Sequence, residues 1–154
     1  MLFRSSLDYI QTIADKGNDI PELVEKNKST FKGIEIKGKT LGVVGLGAIG
    51  VYVANDLSSL GLKVHGYDPF ISVDRAWGLS RNVQQSKNIK QMLVNSDFVS
   101  IHVPLTDKTK GFVNKEILDS VKKGAVVMNF SRSEVINQDR KSTRLNSSHQ
   151  IISY

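Results

Sequence analysis

Leu41-Gly42-Val43-Val44-Gly45-Leu46-Gly47-Ala48-Ile49-Gly50 is the stretch on which the reading of this chain turns. Its first four residues are a short apolar run rich in β-branched side chains, which reads as a strand. The run ends in glycines spaced G-x-G-x-x-G. Ile49, Val53, Leu57 and Leu60 then recur at helical spacings, so a helix begins inside the glycines and Gly61 closes it. Residues 62–68 read as a second strand that Pro69 stops. Strand, glycine turn, helix and strand make a βαβ unit.

G-x-G-x-x-G alone is a weak signal; between a strand and a helix it is a specific one. Gly45 permits the tight turn out of the strand. Gly47 lets the main chain approach a pyrophosphate, where a Cβ would intrude, and Gly50 lets the helix pack closely on the strand. The helix N-terminus adds unpaired N–H groups and a partial positive charge of about half a unit. Asp68 ends the second strand, about 20 residues beyond the glycines, where a carboxylate can accept hydrogen bonds from an adenosine ribose and repel a 2′-phosphate. That favours NAD over NADP. Arg75, close by in sequence, leaves the other choice open, since a guanidinium there could accept the phosphate.

Working outward, Leu7, Ile10, Ile13 and Ala14 predict a helix over residues 5–16, ended by Gly17-Asn18, and Pro21 opens a short second helix through Leu23 and Val24. On the other side, Ser72 is expected to cap a short helix through Trp77, and Ser86 another with Ile89, Met92 and Leu93 on one face. Residues 97–103 read as a strand halted by Pro104. Asn114 caps a helix through Leu118, and residues 125–130 are a near-continuous apolar strand of the kind buried on both faces. The alternation predicts an α/β fold: a Rossmann-type doubly wound parallel sheet, incomplete, preceded by one or two linker helices. Ligands sit beyond the carboxyl ends of such strands, which places Val103-Pro104-Leu105-Thr106 and Phe130-Ser131-Arg132 along the crevice. Arg132 is the natural anion partner there, because a guanidinium binds a carboxylate through two parallel hydrogen bonds. His65 and His102 read as structural or partly exposed rather than as proton shuttles.

The 154 residues carry no Cys, which excludes a disulfide scaffold, thiol chemistry and Cys-based metal sites. No apolar run approaches the ~18 residues of a membrane helix, and the start has no secretory core, so a cytoplasmic location without membrane attachment is expected. The formal net charge is +6, and Arg140, Lys141 and Arg144 supply half of it from a segment without acids. The body is mildly basic with no Lys/Arg cluster interleaved with aromatics, so a nucleic-acid partner is not expected.

Four stretches carry a resemblance to a known family. They are residues 39–50 (Lys-Thr-Leu-Gly-Val-Val-Gly-Leu-Gly-Ala-Ile-Gly), 65–69 (His-Gly-Tyr-Asp-Pro), 97–105 (Asp-Phe-Val-Ser-Ile-His-Val-Pro-Leu) and 127–132 (Val-Met-Asn-Phe-Ser-Arg). Over residues 2 to 139 the chain resembles the D-isomer-specific 2-hydroxyacid dehydrogenases, most closely their 3-phosphoglycerate dehydrogenase branch. The resemblance implies hydride transfer between NAD and a 2-hydroxy/2-keto acid, with a phosphorylated acid expected, within serine biosynthesis. It implies that Ala48 and Ile49 contact the pyrophosphate through the backbone and that Asp68 holds the ribose. Val103 lines the adenosine side, while Phe130, Ser131 and Arg132 border the nicotinamide. Arg132 matches the family's catalytic arginine, which holds the substrate carboxylate and polarises the keto oxygen. Many relatives have Gly after that arginine; this sequence has Ser133. The family's proton-transferring His and its orienting Glu lie downstream of the arginine, so the chain reads as a truncated fragment that is inactive alone. Relatives pair through the cofactor domain, and the resemblance implies a homodimer.

The expected division is 1–36 as linker helices, 37–139 as the NAD-binding domain, and 140–154 as a disordered tail resembling translated adapter or vector sequence. Two other readings stand beside this one. A non-catalytic NAD-sensing module would share the cofactor motif but not depend on Arg132. Another Rossmann enzyme, such as a methyltransferase, would lack a reason for Asn129-Phe130-Ser131-Arg132.

Overall fold

Strands β1 (Thr40–Val44), β2 (Lys63–Tyr67), β3 (Gln84–Gln85), β4 (Phe98–Ile101), β5 (Val126–Asn129) and β6 (Gln150–Ser153) form one sheet in the order β3-β2-β1-β4-β5-β6. Every neighbouring pair is parallel. The computed structural model describes residues 2–31, 33–137 and 150–153. Helix α3 (Ala48–Ser59) connects β1 to β2, α4 (Val73–Trp77) lies between β2 and β3, α5 (Ile89–Asn95) leads to β4, and α6 (Lys115–Asp119) precedes β5.

The sheet is buried on both faces because side chains alternate along each strand. Leu41 and Val43 of β1 join Leu46, Val51, Ala54 and Val64 on the α3 side. Val44 joins Met92, Leu93, Val99, Ile101 and Val127 on the α5 side. Each fully buried Val or Leu contributes about 1.5–3 kcal/mol of transfer free energy. Gly42 faces α5, and a Cβ there would stand 2.8 Å from Ser96 Oγ, so α5 seats directly on β1.

The chain divides by its internal contacts into residues 1–35 and 36–154. In the first unit, α1 (Leu2–Ile13) gives way to a 3-10 turn (Ala14–Asp19) and then α2 (Ile20–Asn27). The α-helix therefore stops short of the expected residue 16, and the chain kinks at Gly17, whose φ is +56°. Tyr9 Oη donates to Leu23 O at 2.9 Å and accepts from Asn27 Nδ2 at 2.7 Å, which ties the two helices together. Pro21 sits in the first turn of α2, where a missing N–H costs no helical bond.

One expected cap needs correction, and two strands were not foreseen. Asn88, not Ser86, caps α5: its Oδ1 accepts from the Gln91 amide, while the Ser86 amide donates to Gly66 O at 2.8 Å and so belongs to the sheet edge. β3 went unforeseen because two glutamines carry no strand signal of their own; they are held by register with His65 and Gly66. The expected tail of 140–154 contains Gln150–Ser153, which runs as β6 along β5. An open strand edge presents a row of unsatisfied N–H and C=O groups, and Gln-Ile-Ile-Ser is the β-prone segment able to meet it. Residues 138–149 and 154 lie outside the described residues.

Candidate active site

The chain leaves β1 toward β2 on one side and returns to β4 on the other, so the carboxyl ends of β1 and β4 bracket a crevice at the switch point. A cavity of about 540 Å³ occupies it, a size suited to a small molecule. Val44, Gly45 and Gly47 line it from the end of β1. Tyr67, Asp68, Pro69 and Phe70 line it from the end of β2, and His102, Val103 and Pro104 from the end of β4, with Thr106, Lys108, Thr109 and Phe112 beyond.

The glycine turn is built by steric exclusion. Gly45 has φ +89°, a conformation that L side chains rarely adopt, and its amide donates to Tyr67 O at 2.9 Å. A Cβ on Gly50 would fall 2.0 Å from Gly45 O, so only hydrogen fits where α3 meets the turn. Gly47 differs from both. Its φ is an ordinary −75°, and no heavy atom lies within 4 Å of the place a Cβ would occupy. The protein's own packing does not require glycine at 47, and Gly47 lines the cavity. The first helical bond of α3 runs from the Val51 amide to Gly47 O, so the amides of Ala48, Ile49 and Gly50 precede the helical ladder. Open space, free amides and a helix N-terminus together fit a pyrophosphate.

Asp68 reaches across to this turn. Its Oδ2 accepts from the Leu46 amide at 2.8 Å and its Oδ1 from the Phe70 amide at 2.9 Å. The carboxylate therefore holds the glycine turn against the end of β2 and keeps a second lone pair on each oxygen for a ligand.

His102 is half-buried on the opposite wall. Ser100 Oγ and His102 Nε2 share a hydrogen bond of 2.8 Å, and burial holds the imidazole below its ordinary value of 6.5. Its ring lies flat on Phe130, with centroids 5.6 Å apart and planes within 3°.

A second turn follows β5. Asn129, fully buried, accepts at Oδ1 from the Ser131 amide (3.1 Å) and from Ser131 Oγ (2.6 Å), and its Nδ2 donates to Arg132 O at 3.3 Å. Arg132 is exposed and extended (φ −70°, ψ 147°), and Ser133 opens a 3-10 turn through Val135. No described residue other than glycine has a positive φ, so Ser133 sits without backbone strain. The Gly111 and Val113 amides donate to Glu134 O and Val135 O, which anchors this turn.

A family-level match described as "D-isomer specific 2-hydroxyacid dehydrogenase, NAD binding domain" spans residues 3–151. The chain belongs to this family. It is 39% identical to the D-3-phosphoglycerate dehydrogenase of Bacillus subtilis over 114 residues, which is 74% of this chain and 21% of that protein. The corresponding enzyme of Methanocaldococcus jannaschii gives the same identity and coverage. Among solved structures, the NAD+-bound 3-phosphoglycerate dehydrogenase of Entamoeba histolytica superposes with a TM-score of 0.66 at 31% identity, covering 79% of this chain and 38% of that one. The chain thus spans about a fifth of the length of the curated relatives it matches.

For this NAD-binding-domain family member, the residues singled out in the sequence fall into two groups. Gly45, Gly47, Asp68, Val103 and Pro104 line the cavity. Ala48 and Ile49 open α3, and Gly50 is packed beneath the turn. Phe130 joins the crevice through His102, whereas Ser131 and Arg132 stand on the neighbouring turn outside the cavity. Arg75 does not line it either. Sequence reasoning missed Lys108 and Thr109, and it quoted Asn129 within the 127–132 stretch without giving it a role. An amide in an otherwise apolar strand was the available signal for Asn129, and the Thr106-x-x-Thr109 spacing for the loop. Among the described residues no helix is long and apolar enough to cross a membrane.

Proposed function

We propose that this chain binds NAD across the carboxyl ends of β1, β2 and β4, as the cofactor-binding part of a cytoplasmic enzyme that transfers a hydride between NAD and a 2-hydroxy/2-keto acid. The observation that carries this is Gly47, which has open space at its Cβ position and lines the cavity beside unpaired helix amides while the flanking glycines are fixed by packing. In this reading the amides of Ala48, Ile49 and Gly50 hold the diphosphate, and Asp68 accepts from the adenosine ribose hydroxyls with its remaining lone pairs. Val103 and Pro104 flank the adenosine, and Phe130 and Ser131 border the nicotinamide. The bound nicotinamide supplies the hydride chemistry. Arg132, a permanent cation with a forked donor set, grips the substrate carboxylate and polarises the keto oxygen.

The names of the relatives support a phosphorylated substrate such as 3-phosphoglycerate. The chain itself binds cofactor without turnover: arginine cannot exchange a proton at neutral pH, and His102 carries a serine rather than a carboxylate on its ring. The exposed Ile10 and Val24 support pairing of two copies, which light scattering would detect. Isothermal titration with NADH tests the cofactor reading. Heat of binding is expected for the wild-type chain and its loss for Gly47→Val; folded wild-type protein that gives no heat would overturn it.

A further inference from the structure

The sequence offers Arg75 as the cation that could accept a phosphate on the adenosine ribose, but Arg75 does not line the cavity. Another cation does line it. Lys108 lines the cavity from the loop after β4, and its Nζ stands 6.0 Å from the centroid of the Phe70 ring. Phe70 is the residue whose amide donates to Asp68 Oδ1, so the ammonium stands over the same strand end that carries the ribose-facing carboxylate.

The loop that holds Lys108 is a built turn. Thr109 Oγ1 donates to Pro104 O at 2.5 Å and accepts from the Thr106 amide at 2.7 Å. The Lys110 amide donates to Thr106 O at 2.9 Å. Lys108 is therefore presented at the tip of a stapled loop. No described carboxylate pairs with it. The adjacent Asp107 and Lys110 do not line the cavity. Asp68, for its part, spends one lone pair of each oxygen on a backbone amide, and those donors draw off part of its negative potential. A carboxylate so engaged opposes a nearby phosphate less than a free one does.

We propose that Lys108 is a cofactor-selectivity residue: its ammonium, at the cavity mouth over Phe70, receives an anionic group on the adenosine ribose, so that the site takes NADPH as well as NADH despite Asp68. The inference rests on the dinucleotide reading of the cavity and adds to it the class of dinucleotide accepted. The Lys–phosphate contact is solvent-facing and weakens with added salt.

Nicotinamide fluorescence titrations with NADH and with NADPH test this on the wild-type chain and on Lys108→Ala, Lys108→Glu and Lys108→Arg, with circular dichroism and melting curves as the check on folding. NADPH is expected to bind the wild type within about tenfold of NADH, and Lys108→Ala is expected to lower the NADPH-to-NADH affinity ratio by about tenfold, the worth of one charge-assisted contact. Lys108→Glu should lower the ratio further, Lys108→Arg should restore it, and salt should compress the differences. Wild-type protein that binds NADH but not NADPH, or a ratio that Lys108→Ala and Lys108→Glu leave unchanged, overturns the selectivity role and leaves the dinucleotide site standing. Folded protein that binds neither overturns both.

Discussion

Two turns follow parallel strands at the same rim of the sheet, and they are made by opposite means. The turn after β1 exists because side chains are absent: a left-handed Gly45 and a Gly50 that admits no Cβ beside Gly45 O. The turn after β5 exists because one side chain is present: buried Asn129, which binds the backbone and hydroxyl of Ser131 and the carbonyl of Arg132. Steric exclusion leaves a signature of glycines at fixed spacing. A side-chain scaffold leaves one amide inside an apolar strand, and amides occur there for many reasons. The first kind of site announces itself; the second must be seen.

Substitutions can break the contrast. The largest effect is expected at Gly50, where alanine drives a methyl into a carbonyl oxygen that belongs to the backbone and cannot swing away. Denaturant unfolding should show a loss of about 3–5 kcal/mol, or no folded protein at all. A stable Gly50→Ala would mean that close approach does not set this turn. Next is Asn129→Ala, which strands the groups around Ser131 and should cost about 2–3 kcal/mol. Asn129→Asp keeps the acceptor and should recover part of that loss.

A smaller effect lies at the amino-terminal rim, away from both turns. Asp97 accepts from Lys122 Nζ at 2.7 Å and from the Thr40 amide at 2.9 Å, which hold its carboxyl below the usual 3.8, the lysine contributing most. A depressed folded-state value means that this stability is present above the unfolded-state value and is lost as pH falls through the folded-state value. Acid unfolding should therefore shift to higher pH in Asp97→Asn at the expense of neutral-pH stability, with both turns intact at pH 7. The smallest effect on stability is expected at Gly47. Alanine there meets open space at an ordinary φ but is a poorer N-cap than glycine, and should cost no more than about 1 kcal/mol, while NADH affinity drops in titration. Equal stability losses at Gly47 and Gly50 would erase the distinction between a glycine kept for packing and one kept for a ligand.

The same physics explains how much of the molecule could be read in advance. The parallel sheet followed from β-branched runs at residues 41–44, 97–103 and 125–130, because burial on both faces demands them. The capping residues Ser72 and Asn114 were legible because an N-cap needs an oxygen at one place. Ser86 and Asn88 compete in the same stretch, and only the sheet contact of Ser86 decides between them. At the crevice, Gly45, Gly47, Gly50 and Asp68 could be picked out because the glycine spacing and the strand-end carboxylate are marked in the sequence itself. Lys108 could not: what recommends it is its position over Phe70, and the two sit on loops brought together only by the pairing of β1 with both β2 and β4. β3 and β6 were hidden for a related reason, since an edge strand takes its conformation from the neighbour it joins.

The sheet order also sets a timetable. β2 is the neighbour that β1 meets first along the chain, and the glycine turn and Asp68 complete each other within that early segment. During synthesis this half can close as soon as Tyr67 and Asp68 clear the ribosome, whereas the far side of β1 waits for β4 and the asparagine-built turn waits longer still for β5. The glycine turn and its Asp68 brace are thus the portion of the crevice able to form while the chain is still growing.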